Sequence, residues 1–431
     1  MKQERKAYLS VGIDIGADFS LMAAALPTQE LVCRSYKILH NSPRSVQGAV
    51  DRILSMRQTY ALPVRVYMES TGIYHLPLYH RLKDAGLDVF ILNPIVTHAN
   101  QNTNIRNIHN DKLDAQRIAL LGLRPGLKTS IIPDDEIAAV RALLREYHAM
   151  KKETSMYICR LKNQLRQVFP QYLPIFSKVN GKASLAVLSK YPSPSAVLAA
   201  GADALAKLIR ESAGRGEAMA RKKAESLLTA AGESISFGHG NSGIIFLIGH
   251  YVEMIRILDK KTDEILKQIK SFLQERPDSL LTRQTMLLES IPGAGFLTAV
   301  TIVCEIGNFA AFRRPKQLYS YFGLDPVVRQ SGNSAGANLR ISKRGSPYAR
   351  RCFYMLALQA VSLRKNGEPK NPVLRAYFLE KCKSKAKMTA LGAVMHKLSN
   401  IVFAVLRDER SFVLISPQKH RQNYLVQARA A

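Results

Sequence analysis

Four acidic side chains in the first 114 residues stand where carboxylates could bind metal ions. Asp14 lies inside the mostly apolar stretch YLSVGIDIGADFSLMAAAL, residues 8–26, where burying an unpaired carboxylate costs on the order of several kcal/mol. Glu69 ends the strand-like segment RVYME, and Asp111 and Asp114 are spaced to share one face of a predicted helix. Two divalent cations about 4 Å apart would offset these charges and support phosphoryl transfer. The sequence therefore predicts a metal site for Mg²⁺ or Mn²⁺.

Other interpretations of the same acids remain open. Asp111 alone could cap a helix, and Asp14 could pair with a Lys or Arg. The segment GIDIG, residues 12–16, also resembles the first phosphate-binding turn of actin-like ATPases and sugar kinases. Such proteins need a second Asp-Gly-Gly type turn and a downstream Gly pair, and we find neither in the sequence.

A second candidate site is the segment from Arg329 to Gly345, which is rich in Ser, Gly and Asn. Four cations bracket it, namely Arg329, Arg340, Lys343 and Arg344. A serine here could attack phosphorus while the cations neutralise the phosphate. The serines Ser331, Ser334 and Ser342 are equal candidates by their chemistry, which on its own favours ordinary loop or capping roles for all three.

Two glycines, Gly293 and Gly295, predict a tight turn between two apolar helical stretches in residues 287–312. This pattern is typical of a helix-hairpin-helix, in which backbone N–H groups approach a DNA phosphate without obstruction by Cβ. A hairpin of two core helices is the alternative. The later segment 338–387 has 13 Lys or Arg against two acids, which favours nucleic-acid binding and adds Arg350 and Arg351 to the predicted contacts.

The charge of the whole chain also indicates a polyanionic partner. Lys and Arg total 62 against 33 Asp and Glu, a formal net charge of +29, which would repel itself unless nucleic acid or counterions screened it. We find no apolar run approaching the roughly 18 to 20 residues that cross a bilayer, and no signal peptide. We therefore expect no membrane partner and a cytoplasmic, nucleoid-associated protein.

The hydrophobic pattern divides the chain into segments. Residues 8–26, 65–70 and 88–94 are predicted strands, and a helical pattern separates the last two, as in an α/β domain. Two later seams, Val140 to Val168 and Ile244 to Phe272, predict long helices that pack on each other or on a second protomer as a coiled coil, with a plain helical core as alternative. We expect an α/β domain (1–135), a helical coiled-coil connector with an insertion (136–285), a mainly α domain (286–415) and a disordered tail (416–431).

The acids and the serine segment together resemble the DEDD-type insertion-sequence transposases, a family that includes bridge-RNA-guided DNA recombinases and site-specific DNA invertases. That family has a strand-centred Asp, a Glu before a Thr-Gly turn and an Asp-x-x-Asp helix. The corresponding residues here are Asp14, Glu69 before Thr71 and Gly72, and Asp111 with Asp114. The family's catalytic serine stands in a Ser-Gly pair between Gly-Leu-x-Pro and Ile-Ser-Lys-x-Gly, here residues 323–326 and 341–345, which singles out Ser331 with Gly332.

This resemblance implies an α/β RuvC-like (ribonuclease H-like) N-terminal domain, a long helical connector and a mainly α C-terminal transposase domain with a helix-hairpin-helix. It implies that Mg²⁺ or Mn²⁺ on the four acids acts with Ser331, which becomes joined to a DNA phosphate while a 3′ hydroxyl is released. It further implies donor and target DNA, a guide RNA, and dimers assembling into a tetramer. An invertase without an RNA guide, an actin-like ATPase or sugar kinase, and a non-catalytic nucleic-acid-binding protein are the alternatives.

Overall fold

The computed structural model describes residues 7–70, 74–93, 97, 111–127, 129–130, 132–214, 216–234, 242–327, 330–331, 334–335, 340–416, 418–419 and 422, with backbone only at 330–331 and 334–335. The chain forms two compact units, Met1–Ile132 and Pro133–Ala431. Thr71, Gly72, Arg329, Gly332 and most of the predicted tail lie outside the described residues.

The N-terminal unit is built on a mixed sheet of five strands in the order β3-β2-β1-β4-β5. The strands are β1 (Leu9–Ile15), β2 (Phe19–Ala25), β3 (Leu31–Leu39), β4 (Val64–Glu69) and β5 (Asp88–Leu92). β2 is antiparallel to both β1 and β3, whereas β4 runs parallel to β1 and to β5. The predicted strands at 8–26, 65–70 and 88–94 are therefore confirmed, and β3 was not predicted.

The two faces of the sheet are covered by different helices. Val11 and Ile13 of β1 are fully buried in a core with side chains of α1 (Pro43–Thr59) and α2 (His75–Asp84). Because side chains alternate along a strand, Gly12 faces the opposite side, where α3 (Asp111–Gly122) packs. The predicted helix between the second and third strand segments and the helix starting at Asp111 are both confirmed.

The C-terminal unit begins with two long antiparallel helices, α4 (Asp135–Val168) and α8 (Ser242–Gln274). Their direction follows from two contacts, Lys151 with Asp259 (2.9 Å) and the ring of Tyr157 with that of Tyr251 (6.0 Å between centroids). The predicted packing of the two seams on each other is confirmed. The intervening helices α5 (Lys182–Lys190), α6 (Pro194–Ala213) and α7 (Glu217–Gly232) share an apolar core with them.

One detail of the second seam differs from the sequence prediction. Val252 and Leu273 are buried on α8, whereas Tyr251 and Phe272, which continue the alternating four and three spacing from Ile244, are only partly buried. A straight helix has 3.6 residues per turn, so its buried face drifts away from a strict seven-residue repeat. The core therefore follows ordinary helix packing over this length.

The remainder of this unit is also helical. It contains α9 (Leu280–Glu289), α10 (Phe296–Ile306), α11 (Pro315–Tyr321), α12 (Pro347–Val361), α13 (Pro372–Cys382) and α14 (Lys387–Asp408), with two-residue strands β6 (Gln330–Ser331) and β7 (Ser334–Ala335). Among the described residues, α14 is long and apolar enough to cross a membrane, judged by length and composition alone. The sequence analysis did not predict such a helix. More than half of its apolar stretch is buried, and Leu398, Val402 and Phe403 belong to the interior of this unit.

The predicted connector and the predicted C-terminal domain are joined by polar contacts within this unit. Arg145 on α4 donates to both carboxylate oxygens of Glu305 on α10, at 3.1 and 3.2 Å. Glu305 is 4% exposed, so the paired guanidinium offsets a carboxylate that would be costly to bury alone. Arg141, one turn earlier on α4, donates to the carbonyl of Cys304.

Several helix starts follow from one local sequence signal, a Ser or Asn followed by Pro. The capping side chain accepts a hydrogen bond from a nearby backbone N–H, and Pro at the first helical position loses no intrahelical bond. The pairs are Ser42–Pro43 at α1, Ser193–Pro194 at α6, Ser346–Pro347 at α12 and Asn371–Pro372 at α13.

Candidate active site

The strand register places Asp14 and Glu69 on the same face of the sheet. On the parallel strands β1 and β4, Ile13 is paired with Met68, and both side chains are buried in the core beneath α1. The next residue on each strand points to the opposite face. Asp14 and Glu69 therefore project from the carboxyl ends of adjacent strands toward the side of α3, and both are partly exposed.

A close helix–sheet contact positions the other two acids. A Cβ atom at Gly12 would stand 2.2 Å from the backbone nitrogen of Ala119, so only glycine lets α3 lie this near to β1. The hydroxyl of Ser10 donates to the carbonyl of Ala119 at 2.6 Å and fixes the helix along the strand. Because α3 begins with Asp111 and Asp114 in its first turn, these acids lie toward the Asp14 end of β1.

The electrostatics of Asp14 indicate that the four carboxylates are close together. Burial raises the pKa of Asp14 to about 6, and repulsion from Asp114, Asp111 and Glu69 adds to this rise. The backbone N–H of Ile15 donates to the carboxylate and opposes the rise. The negative charges around Asp14 favour its protonated form, and a divalent cation bound there would offset this repulsion.

Two side chains that the sequence analysis did not identify hold members of this acidic cluster. Thr97 donates to Oε2 of Glu69 at 2.7 Å, and Arg117 donates to Oδ1 of Asp114 at 2.8 Å. Arg117 follows Asp114 by one helical turn, so the i,i+3 spacing was a signal for it. Thr97 follows β5 in a segment without periodicity, where no local signal pointed to Glu69.

The donor set has the chemistry that Mg²⁺ and Mn²⁺ prefer, since all four side chains supply carboxylate oxygens. Within the described part of the chain, no group of three or more His, Cys, Asp or Glu side chains is arranged so that it could hold a metal ion.

The segments on either side of Ser331 pair with each other in the C-terminal unit. Pro326 forms a bridge with Ile341, and the amide of Ser342 donates to the carbonyl of Asp325 at 2.7 Å. Farther along, β6 and β7 are antiparallel, with Ser331 opposite Ser334. The two segments therefore form the base of a hairpin, and Ser331 belongs to its distal strand pair.

Side chains lock the base of this hairpin. The hydroxyl of Ser342 donates to the carboxylate of Asp325 at 2.7 Å. The guanidinium of Arg350 donates to the carbonyls of Phe322, Lys343 and Gly345 at 3.2, 3.2 and 2.5 Å. The structure thus gives Ser342 and Arg350 roles in holding the hairpin. The other predicted cations of this region that are described are exposed, namely Arg340, Lys343, Arg344 and Arg351.

The predicted glycine turn connects α9 to α10, but its two glycines have different surroundings. Gly293 has a φ of +95°, and a Cβ there would stand 2.9 Å from Cβ of Gln359 on α12. Gly295 caps α10, and a Cβ there would meet nothing within 4 Å. Gly293 is therefore required by its backbone conformation and by its packing against α12, whereas a side chain at Gly295 would meet nothing, and both glycines are exposed.

The region of the four acids and the region of Ser331 both match models of known protein families. A DEDD-type model of the IS110 group, described as a transposase, matches residues 11–170. A second model, described as "Transposase IS116/IS110/IS902 family", matches residues 285–377. The chain belongs to the IS110 family of transposases. The four acids lie within the first match and Ser331 within the second. The predicted α/β N-terminal domain followed by a mainly helical region is confirmed by the mixed sheet and the helices described above.

Individual relatives of this IS110-family chain are distant. It is 24% identical over 280 residues to the uncharacterized 43.6 kDa protein of insertion element IS110 from Streptomyces coelicolor, covering 64% of each chain. It is 32% identical to the pilin gene-inverting protein of Moraxella bovis over 165 residues, 38% of this chain and 47% of that protein. The structure of Thermus thermophilus RuvC in complex with a Holliday junction substrate matches 26% of this chain and 90% of that one, at 15% identity and a TM-score of 0.20.

Proposed function

We propose that this protein is the transposase of an insertion sequence, and that it cuts and rejoins DNA strands. The observation that carries this proposal is that Asp14 and Glu69 share the face of the sheet covered by α3, whose first turn holds Asp111 and Asp114, inside a region that matches DEDD transposases. The net charge of +29 supports DNA as the substrate, because phosphate contacts by Lys and Arg dominate such binding.

We assign the metal-binding role to the four acids and the nucleophilic role to Ser331. Bound Mg²⁺ or Mn²⁺ would supply Lewis-acid stabilisation of the oxygens that gain charge at phosphorus. The hydroxyl oxygen of Ser331 attacks a DNA phosphate and loses its proton, and the bond from phosphorus to the 3′ oxygen breaks. The 3′ oxygen leaves as a hydroxyl after taking up a proton. The phosphoserine bond conserves the energy of the phosphodiester, so a 3′ hydroxyl can attack it later and reseal DNA without ATP.

The partners are part of the same proposal. Donor and target DNA would bind exposed cations of the C-terminal unit, such as Arg340, Lys343 and Arg344, and the open backbone at Gly295. A guide RNA and assembly of dimers into a tetramer follow from the family resemblance, as does a location with DNA in the cytoplasm. Sequencing the RNA that copurifies with the protein would test the guide RNA. The mass of the complex between the protein and DNA would test the tetramer.

A second function within the same family is inversion of a DNA segment. Its support is the 32% identity to the pilin gene-inverting protein of Moraxella bovis. Both functions use the same strand chemistry, so products distinguish them. A transposase joins element ends to a separate target, whereas an invertase only reverses the segment between two sites.

The decisive experiment looks for a covalent protein–DNA adduct. The full chain is incubated with Mg²⁺ and labelled DNA that carries the element ends, then separated under denaturing conditions. We expect an adduct whose peptide maps to Ser331. Ser331→Ala should bind DNA without forming an adduct, and Ser334→Ala, which changes its cross-strand neighbour, should retain the adduct. Cleavage without any adduct would indicate that the acids act alone as a nuclease, and an adduct on another serine would refute Ser331.

A further inference from the structure

Two of the four acids have one carboxylate oxygen engaged by a neighbouring donor. Thr97 binds Oε2 of Glu69, and Arg117 binds Oδ1 of Asp114. We propose that Thr97 and Arg117 are positioning residues of the metal centre, which hold these two carboxylates so that the second oxygen of each faces the ion. This inference rests on the proposed function, because it assumes that the four acids bind metal.

Thr97 is suited to this task because it is buried beside Glu69. The residue is only 5% exposed, and its hydroxyl lies 2.7 Å from Glu69, a length typical of a charge-assisted hydrogen bond. Glu69 is the last residue of β4, where its side chain leaves the sheet through three rotatable bonds. A donor on one oxygen removes much of that freedom before an ion arrives. Outer-shell hydrogen bonds of this kind typically change metal affinity by about 10- to 100-fold.

Arg117 is the more informative residue because its charge and its geometry act in opposite directions. It lies on α3 one turn after Asp114, with 29% of its side chain exposed against 18% for Asp114. Its positive charge alone would repel a divalent cation. Its hydrogen bond, however, fixes the rotamer of Asp114, which would otherwise be spread over several orientations. The geometric effect is the larger of the two, so loss of Arg117 weakens metal binding although the site becomes more negative.

The first experiment titrates Mn²⁺ into the full chain without DNA and follows free Mn²⁺ by electron paramagnetic resonance. We expect Thr97→Val to weaken binding by about 10-fold or more, because it keeps the shape but removes the hydroxyl. Thr97→Ser restores the hydroxyl and should bind nearly as the wild type. Thr59→Val, a matched change at the exposed end of α1, should have no effect. Equal affinity of the Val variant and the wild type would refute the role of Thr97. Thr97→Ala substitutes for it if the Val variant does not fold.

The second experiment compares Arg117→Gln with Arg117→Lys. We expect the Gln variant to bind Mn²⁺ more weakly than the wild type and the Lys variant to lie between them. Arg44→Gln removes the same charge from α1, on the opposite face of the sheet, and should leave affinity unchanged. Tighter binding by Arg117→Gln would show that only charge matters and would overturn the proposal. If the wild type itself binds no Mn²⁺, or Asp14→Asn binds as tightly as the wild type, the metal centre of the proposed function fails instead.

Discussion

Gly12 on β1 and Ala119 on α3 are in backbone contact, so a Cβ atom at Gly12 would stand 2.2 Å from the amide nitrogen of Ala119. This contact sets the distance between α3 and the sheet, and hence the position of Asp111 and Asp114 relative to Asp14. The second glycine of the GIDIG segment, Gly16, is also explained by packing, since a Cβ there would lie 2.5 Å from the carbonyl of Phe19. Neither glycine needs a nucleotide phosphate to account for it.

The first prediction is that Gly12→Ala destabilises the protein. The added methyl group meets backbone atoms, which cannot rotate away, so α3 must shift outward. We expect a loss of about 1–3 kcal/mol or more in the free energy of unfolding, measured by denaturant titration. Gly249→Ala on α8 is the matched control, because nothing lies within 4 Å of its Cβ. It should be neutral or stabilising, since alanine favours helix over glycine. Equal effects of the two changes would contradict the contact.

The second prediction concerns pH and the metal-free chain. Asp14 has a pKa of about 6 in the folded protein against an ordinary value of 3.8. Below about pH 4, Asp14 is protonated in both the folded and the unfolded chain and does not lower the free energy of unfolding. Between these values the unfolded chain releases the proton first, so stability falls as pH rises, and above about pH 6 the full cost is present. With allowance for solvent screening of a partly exposed carboxylate, we expect a decrease of about 1–2 kcal/mol across this range.

Asp14→Asn tests this expectation directly. In the presence of a chelator, the variant should be more stable than the wild type at pH 8, and the difference should disappear near pH 4. Denaturant titrations from pH 4 to 8 give the comparison. A variant that is less stable than the wild type at every pH would mean that the carboxylate of Asp14 stabilises the fold, which contradicts the repulsion described above.

Local patterns in the sequence were sufficient to select these acids as candidates. Asp14 was conspicuous because a charge inside an apolar strand needs a compensating reason, and Asp111 with Asp114 because their spacing defines a helical face. The strands themselves followed from short apolar runs with polar ends. In contrast, the relation between Asp14 and Glu69 depends on the register of β1 against β4, which no local pattern specifies.

The contacts missed by the sequence analysis join residues distant in the chain. Thr97 donates a hydrogen bond to Glu69, which lies 28 positions earlier in the chain. Gly293 packs against Gln359, and the segments of the hairpin lie between these two residues in the sequence. Arg350 was assigned to nucleic acid because it belongs to a basic segment, yet its guanidinium donates to three backbone carbonyls. Composition shows how much charge a segment has, but tertiary structure decides which of its cations are available to a ligand.

The third prediction is that Ser342 holds the base of the hairpin and is not the nucleophile. Ser342→Ala removes the hydrogen bond to Asp325 and should cost about 1–2 kcal/mol. Amide hydrogen exchange should become faster at Ser342 and Lys343, whose N–H groups donate to the carbonyls of Asp325 and Gly323. The covalent DNA adduct should still form. Loss of the adduct with unchanged amide exchange would instead assign the attack to Ser342.

The last prediction separates two arginines of the same basic segment. Arg350 donates to the carbonyls of Phe322, Lys343 and Gly345, and burial lowers its pKa, whereas Arg344 is exposed. Arg350→Ala leaves three carbonyls short of a donor and should lower the free energy of unfolding by about 1–3 kcal/mol. Arg344→Ala should change stability by less than about 0.5 kcal/mol.

DNA affinity should depend more on Arg344 than on Arg350, which is the reverse of their effects on stability. Fluorescence anisotropy of a labelled duplex over a range of salt concentrations gives the slope of log affinity against log salt. Arg344→Ala should reduce the steepness of that slope by about 1, as expected for one lost phosphate contact. All three carbonyls accept from the terminal nitrogen Nη1 of Arg350. Arg350→Lys retains the charge, but its side chain is one bond shorter and places its nitrogen away from this position, so the variant should lose stability while keeping the slope of the wild type. A slope that changes with Arg350→Lys and not with Arg344→Ala would place the phosphate contact on Arg350 and reverse this assignment.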